Sequence, residues 1–428
     1  MRGIGAVFPS LRRAGGNAKS LIVAGSLGSF GGGLFTVARP VYLYAAGLDP
    51  TVIGILIAVE SFLGVLLAIP VAMMSDLFGR KRFVVFGLLL DAVGAFLYFY
   101  SSDIIVLVIA QALFAFVTAT VGAPFLALFA DGTTEGNRNE LFVLFYFAGG
   151  IATAIGSFVT GLQAPLAGLL GVGSLDAFRL LFLVVSATSL AAGVVVLRCV
   201  SERRAERAAA GGRGLSLRDM IRVPKKSMGV VKKFSIIGFT GFGAGLIIPL
   251  LPLWYNLRFG VDVSVIGPLF GSIFLTTALA SLLTPAFAKR SGSVFTIVAT
   301  QLSAIVLLVL IPLAPDYLSA GVVMVTRSTL ANMSNPIMQS FMMGLIHPDE
   351  RATASSMIQM FDAIPRAYAP AVGGYLLSVG LINTPFFVTA ALYIVSTALF
   401  YIFFRKATPV LSRVDLAEER GLNSGSSG

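Results

Sequence analysis

Along the chain, apolar runs of about twenty residues or more alternate with short polar breaks, and such runs are too long for strands. They predict helices over 20–46, 52–74, 83–101, 104–130, 140–162 and 176–197. After a polar stretch the pattern resumes over 234–257, 264–288, 294–313, 316–346, 353–379 and 384–404. Each run is long enough to cross a hydrocarbon core of roughly 30 Å. Irregular backbone facing lipid would leave its polar groups unpaired, so an all-α integral membrane fold is expected. The polar punctuation divides the chain into an N-terminal tail (1–18), a six-helix bundle (19–197), a linker (198–233), a second six-helix bundle (234–405) and a C-terminal tail (406–428).

Composition agrees with lipid as the solvent: 57% of residues are hydrophobic, 12% are charged and the mean hydropathy is +0.90. A net charge of +11 would point to nucleic acid in a water-soluble chain, but its placement gives it another meaning. If both termini are cytoplasmic, inner segments hold 26 of the 31 lysines and arginines, and outer segments hold only Arg179 and Arg258. That asymmetry predicts a multi-pass protein of the cell membrane with both termini inside, and no nucleic-acid partner. Leu21–Ala46 follows Arg12, Arg13 and Lys19 but is too long for a secretory signal. With Cys199 and His347 each alone of their kind, no disulfide, metal cluster or thiol or histidine catalysis is expected. No nucleotide-binding loop is present either, so the expectation is a non-enzyme without cofactors, energised by gradients. In the linker, Ser216–Val223 fits a short capped helix placing Arg218 and Arg222 toward headgroups, and equally a solvated basic segment. Asn423–Gly428 is flexible by composition.

The two halves repeat one another. A shift of 213 positions lays Thr51-Val52-Ile53-Gly54 on Ser264-Val265-Ile266-Gly267, Gly47 on Gly260, Gly79 on Gly292, Arg138 on Arg351 and Gly161 on Gly374. A shift of 212 lays Pro40 on Pro252 and Pro124 on Pro336. Duplicated bundles imply a pseudo-twofold axis along the membrane normal and a cavity between the halves that opens alternately to each side.

Between the second and third spans, Ser75-Asp76-Leu77-Phe78-Gly79-Arg80-Lys81-Arg82 places an acid ahead of a glycine and three cations. Glycine permits the tight reversal and the cations anchor it at the inner face. This segment resembles the signature loop of the major facilitator superfamily, twelve-helix type, nearest the drug and metabolite proton antiporters. The resemblance implies two pseudo-symmetric six-helix bundles around a central cavity, and a cytoplasmic gate at Asp76, Gly79, Arg80 and Arg82. Its second-half copy, Lys289-Arg290-Ser291-Gly292, lacks the acid, so the gate is expected to be one-sided. Three positions depart from the family pattern: Gln111 stands where proton-coupled members carry an arginine, helix 1 carries Arg39 and no acid, and helix 5 reads Gly156-Ser157. Ala369-Pro370-Ala371-Val372-Gly373-Gly374 in helix 11 resembles the glycine-rich pattern of exporters.

Ionisable groups at mid-membrane each cost about 2.5–3.5 kcal/mol and need a partner, water or a function. There are six, three of each sign: Arg39, Glu60, Asp91, Arg327, Asp362 and Arg366. Ser355, Gln359, Asp362 and Arg366 form one stripe on helix 11, and Asp362 and Arg366 can neutralise each other or act in transport. Glu60 is the first candidate for a coupling proton site, with Arg366 as its competing partner across the halves, or else a permanently paired structural acid. Helix 10 carries a second stripe, Ser328, Asn332, Asn335 and Gln339, beside Arg327. Since the resemblance makes helices 1, 4, 7 and 10 the cavity lining, Arg39 and Arg327 lead the substrate contacts, with Asn332, Asn335 and Gln339, and favour an anionic solute. Gly87, Gly94 and Ala95 share the face of Asp91, a close-packed seam where a structural hydrogen bond is expected. Trp254, Tyr42, Tyr44 and Tyr255 are expected as interfacial rings at the outer ends.

Taken together these features predict a secondary active transporter moving a small organic solute by alternating access, coupled to protons, working as an exporter and as a monomer. An uptake symporter or uniporter, and a transport-inactive receptor with the same fold, are the alternatives.

Overall fold

A computed structural model describes residues 14–134, 137–202, 225–281, 293–333 and 335–406. The expectations for Ser216–Val223, Lys289–Gly292 and Asn423–Gly428 lie outside these residues. The long helices of the first half are α1 (Gly16–Ala45), α2 (Pro50–Phe78), α3 (Arg80–Tyr100), α4 (Ile104–Asp131), α5 (Arg138–Thr160) and α6 (Ser174–Cys199), with a short helix, Gln163–Leu170, between α5 and α6. In the second half, α7 runs Met228–Phe259, interrupted by a turn at 235–236 and by a 3-10 turn at Ile248–Leu250, and α8 is Val263–Ser281. Next come α9 (Ser293–Leu310), α10 (described as Tyr317–Met333 and Asn335–Leu345), α11 (Arg351–Ser378) and α12 (Thr384–Phe404). Among the described residues, ten of these helices are long and apolar enough to span a membrane. The other two are α10, described in two segments, and α11, which carries the polar stripe.

Local chemistry sets the helix ends. Asp49 and Asp103 cap α2 and α4 by accepting the N–H groups of Thr51 and Ile105, both at 2.8 Å. Between α2 and α3 a single residue, Gly79, turns the chain at φ 108°, a conformation that a side chain would strain. The start of α7 precedes the predicted position because the Glu350 carboxylate accepts the N–H groups of Lys226 and Ser227 at 3.1 and 2.7 Å.

Packing repeats with the sequence. In the first half α1 packs on α5 and α6, α3 on α4 and α6, and α2 on α4. In the second, α7 packs on α11 and α12, α9 on α10 and α12, and α8 on α10. Across the halves the main contacts are α2 with α11 and α5 with α8, which exchange under the same symmetry. The repeat landmarks hold equivalent places: Gly47 and Gly260 both have positive φ after the first helix of a half, and Arg138 and Arg351 each open its fifth.

The aromatic residues correct one expectation. Tyr42, Trp254 and Tyr255 are fully buried, and only Tyr44 is exposed. Tyr42 packs edge-on to Phe182, and Trp254 packs on Phe386 while donating to Asn383 at 3.3 Å. The break in α7 at Pro249 and Pro252 lets its last turns join this core instead of projecting toward headgroups.

Candidate functional site

Four first-half helices bring their polar side chains to one network. From α1, Arg39 pairs with Glu60 of α2, both side chains mostly buried, and the guanidinium lies 4.9 Å from the ring centre of Phe35. Gln111 of α4 donates to the Glu60 carboxylate and to the Leu56 carbonyl, each at 3.2 Å, and accepts from Tyr98 of α3 at 2.9 Å. Glu60 is thus engaged by Arg39, and its pairing with Arg366 is not formed here. Gln111, notable in the sequence only as a departure from the family arginine, is the hub of the network. Tyr98 was not singled out by sequence because a tyrosine within an apolar run looks like packing.

In the second half, two adjoining cavities of about 460 and 410 Å³ share Thr240, Gln301, Asn335 and Arg366 in their walls. Gln339, Gln359, Asp362 and Arg366 line the first, and Arg327, Ser328, Asn332 and Asn335 the second. Both stripes therefore meet the same space, while Ser355 is buried. Asp362 and Arg366 form a two-pronged ion pair along α11, both contacts at 2.9 Å. Arg327 is 5% exposed and makes no ion pair with any described residue, and its Nε lacks a hydrogen-bond partner. Arg39 and Arg327 thus stand in different environments, the first paired in one half and the second unpaired in the other. Gln301 and Thr277, which also line the second cavity, escaped sequence reasoning because single polar residues on α9 and α8 form no stripe.

The six intramembrane charges resolve into two pairs and two single groups. Asp91 is the single acid and accepts the Ser189 hydroxyl of α6 at 2.5 Å. Its companion glycines face a different helix, Gly87 against Thr120 and Gly94 against Phe114 of α4. Asp91 also borders a cavity of about 420 Å³ inside the first half.

At the loop end, Arg80 binds Asp76 at 2.6 Å and Asp131 at 3.0 Å. Glu202, just beyond α6, accepts the N–H groups of Arg80 and Lys81 at 2.8 and 3.4 Å, and its carboxylate would lie 3.0 Å from a Cβ placed on Gly79. Arg82 is exposed. All these described contacts stay within the first half. At the opposite end of the molecule, Ser378 donates to Asp49 at 2.9 Å and the Ala164 N–H to Ser264 at 3.0 Å. Among hydrogen bonds between described residues, these two join the halves, and both lie at that end.

The profile of the Major Facilitator Superfamily matches residues 21–370, with a further match at 234–424. The chain belongs to that superfamily. Multidrug resistance protein 1 of Bacillus subtilis (strain 168) is 24% identical over 370 residues, covering 86% of this chain and 91% of that protein. The solved nucleoside transporter NupG superposes with a TM-score of 0.72 at 13% identity, over 91% of this chain and 99% of that one. A bacterial homologue of the human lysosomal transporter Spinster, in an inward-facing and unoccupied conformation, gives 0.71 at 15% identity, over 90% and 95%. The human organic anion transporter MFSD10 gives 0.60 at 16% identity, over 90% and 99%. Membership establishes a membrane transporter with the superfamily's two-bundle fold.

Proposed function

We propose that this superfamily member exports a small organic solute by alternating access, driven by protons, from a cell membrane in which both termini are cytoplasmic. The observation that carries it is that, among the described residues, the hydrogen bonds joining the halves lie at one end. Twofold-related helix pairs, α2 with α11 and α5 with α8, pack across the halves, and at the end opposite the basic loop Ser378 of α11 bonds Asp49 at the start of α2 while Ala164, in the short helix beyond α5, bonds Ser264 of α8. Under the positive-inside orientation that end faces outward, so this conformation opens inward. The inward-facing Spinster homologue supports the same assignment, and the multidrug resistance relative supports export.

Protons are assigned to the carboxylates that are paired with arginines within the membrane, Glu60 with Arg39 and Asp362 with Arg366. Separating a carboxylate from its arginine in a low-dielectric site raises its proton affinity, and rejoining them expels the proton. Asn332, Asn335 and Gln339 serve as solute contacts, and Asp76, Gly79, Arg80 and Arg82 form the inner gate. The test is flux from proteoliposomes loaded in turn with ethidium, a nucleoside, benzoate or a dipeptide. At least one should move saturably and faster under an imposed pH gradient, and Glu60→Gln or Asp362→Asn should abolish the pH dependence. Gradient-independent flux of every probe in wild type and variants would exclude proton coupling.

A further inference from the structure

The wild-type charge balance leaves one guanidinium uncommitted. Arg366 is held by Asp362 and Arg39 by Glu60, whereas Arg327 has no ion pair among the described residues despite being 95% buried. A cation so placed within the membrane is costly when unpaired, and an anion beside it offsets part of that cost. A second orphan lies on the same cavity wall: the Thr277 hydroxyl of α8, buried and without a hydrogen-bond partner. Both residues border a space of about 410 Å³, within the range of small-molecule sites. The same wall also offers apolar surface from Phe270, Ile273, Phe274 and Met324, beside polar groups such as Gln301 and Asn332.

We infer that Arg327 and Thr277 form a binding site for the carboxylate of an amphipathic organic monoanion, whose apolar body lies against the phenylalanines. The planar guanidinium fork matches a carboxylate, and the hydroxyl can donate to it as well. One charge is specified because, among the described intramembrane arginines, Arg327 alone has no ion pair: a second anionic group would meet Arg366, already bound to Asp362, and would be left buried without a counter-charge. The site names a substrate class for the transporter reading and rests on it, but its binding can be measured with no transport at all.

Purified protein in nanodiscs should be titrated calorimetrically with benzoate, benzamide and chloride at neutral pH. Benzoate is expected to bind, benzamide and chloride to bind at least about tenfold more weakly, and Thr277→Val to weaken benzoate about tenfold, the scale of one hydrogen bond to a charged group. Arg327→Gln should abolish benzoate binding, while Arg327→Lys, which keeps the charge but loses the fork, should fall between and controls for folding. Equal affinity for benzoate and benzamide, or wild-type affinity in Arg327→Lys and Thr277→Val together, would overturn the site. Chloride binding as tight as benzoate would overturn the organic solute in favour of an inorganic anion. Benzoate that binds as described yet is not moved by proteoliposomes would spare the site and count against transport.

Discussion

Gly54 of α2 and Gly374 of α11 cross so closely that a Cβ on Gly54 would lie 3.0 Å from the Gly374 Cα, and one on Gly374 2.9 Å from the Gly54 Cα. Their repeat partners make the second crossing: a Cβ on Gly267 of α8 would lie 2.7 Å from the Gly161 nitrogen of α5. The two inter-half contacts thus use repeat-equivalent glycine pairs, Gly54 with Gly374 and Gly267 with Gly161, with the halves exchanged.

Larger residues at these crossings should favour conformations in which that end opens. Overpacking costs about 1–3 kcal/mol, enough to shift a two-state population by roughly five- to 150-fold. Gly54→Val, and by symmetry Gly267→Val, should raise thiol labelling of a cysteine placed at Leu377, which is buried here, in a Cys199→Ser background. Labelling equal to that of the parent would show that the crossings do not govern closure.

The Arg39–Glu60 pair predicts a strong non-additivity. Removing one partner strands a buried charge at about 3 kcal/mol, whereas replacing both by apolar residues is close to neutral. Glu60→Met and Arg39→Met should each lower the melting temperature, and the double variant should recover it while remaining transport-inactive. Additive losses would mean that the pair is not the dominant interaction of either residue.

Glycine at position 79 and the carboxylate of Glu202 should stabilise the inner loop independently of transport chemistry. Gly79→Ala is strained by its positive φ, and Glu202→Gln loses the charged cap on the first N–H groups of α3. Each change should cost about 1 kcal/mol, read as a lower melting temperature.

The tie between Asp49 and Ser378 should not titrate in the working range. Hydrogen bonds from the Thr51 side chain and backbone, and from Ser378, hold the Asp49 carboxyl below its usual pKa. A depressed folded-state value means its contribution is present above the unfolded value and is lost only as pH falls through the lower one, that is, below about 4. Asp49→Asn should therefore leave the shape of the flux profile between about pH 5 and pH 8 unchanged. A displaced profile would place a coupling proton at this tie.

How much of this was legible in the sequence differs between fold and site. Hydrophobic run length and the 213-residue repeat carried the helices and even the crossing glycines, because close backbone contact tolerates no other side chain. Partner choice was not legible. Asp362 and Arg366 share one helix and their four-residue spacing dictates contact, but Glu60 chooses between arginines on two different helices, and only packing decides for Arg39. The same holds for Tyr42 and Trp254, whose position near helix ends suits either an interface or a core. Glu202 and Thr277 act through backbone groups and cavity walls that no local pattern reveals.

Alternating access is tested most directly by double electron–electron resonance on two cysteine pairs in a Cys199→Ser background. Thr134 and His347 report the basic-loop end, and Ser101 and Asp316 the opposite end. Moving from about pH 8 to about pH 5, or adding a transported probe, should shift the two distance distributions in opposite directions. Distributions that stay fixed, or widen and narrow together, would contradict a transporter whose halves rock about the α2–α11 and α5–α8 crossings.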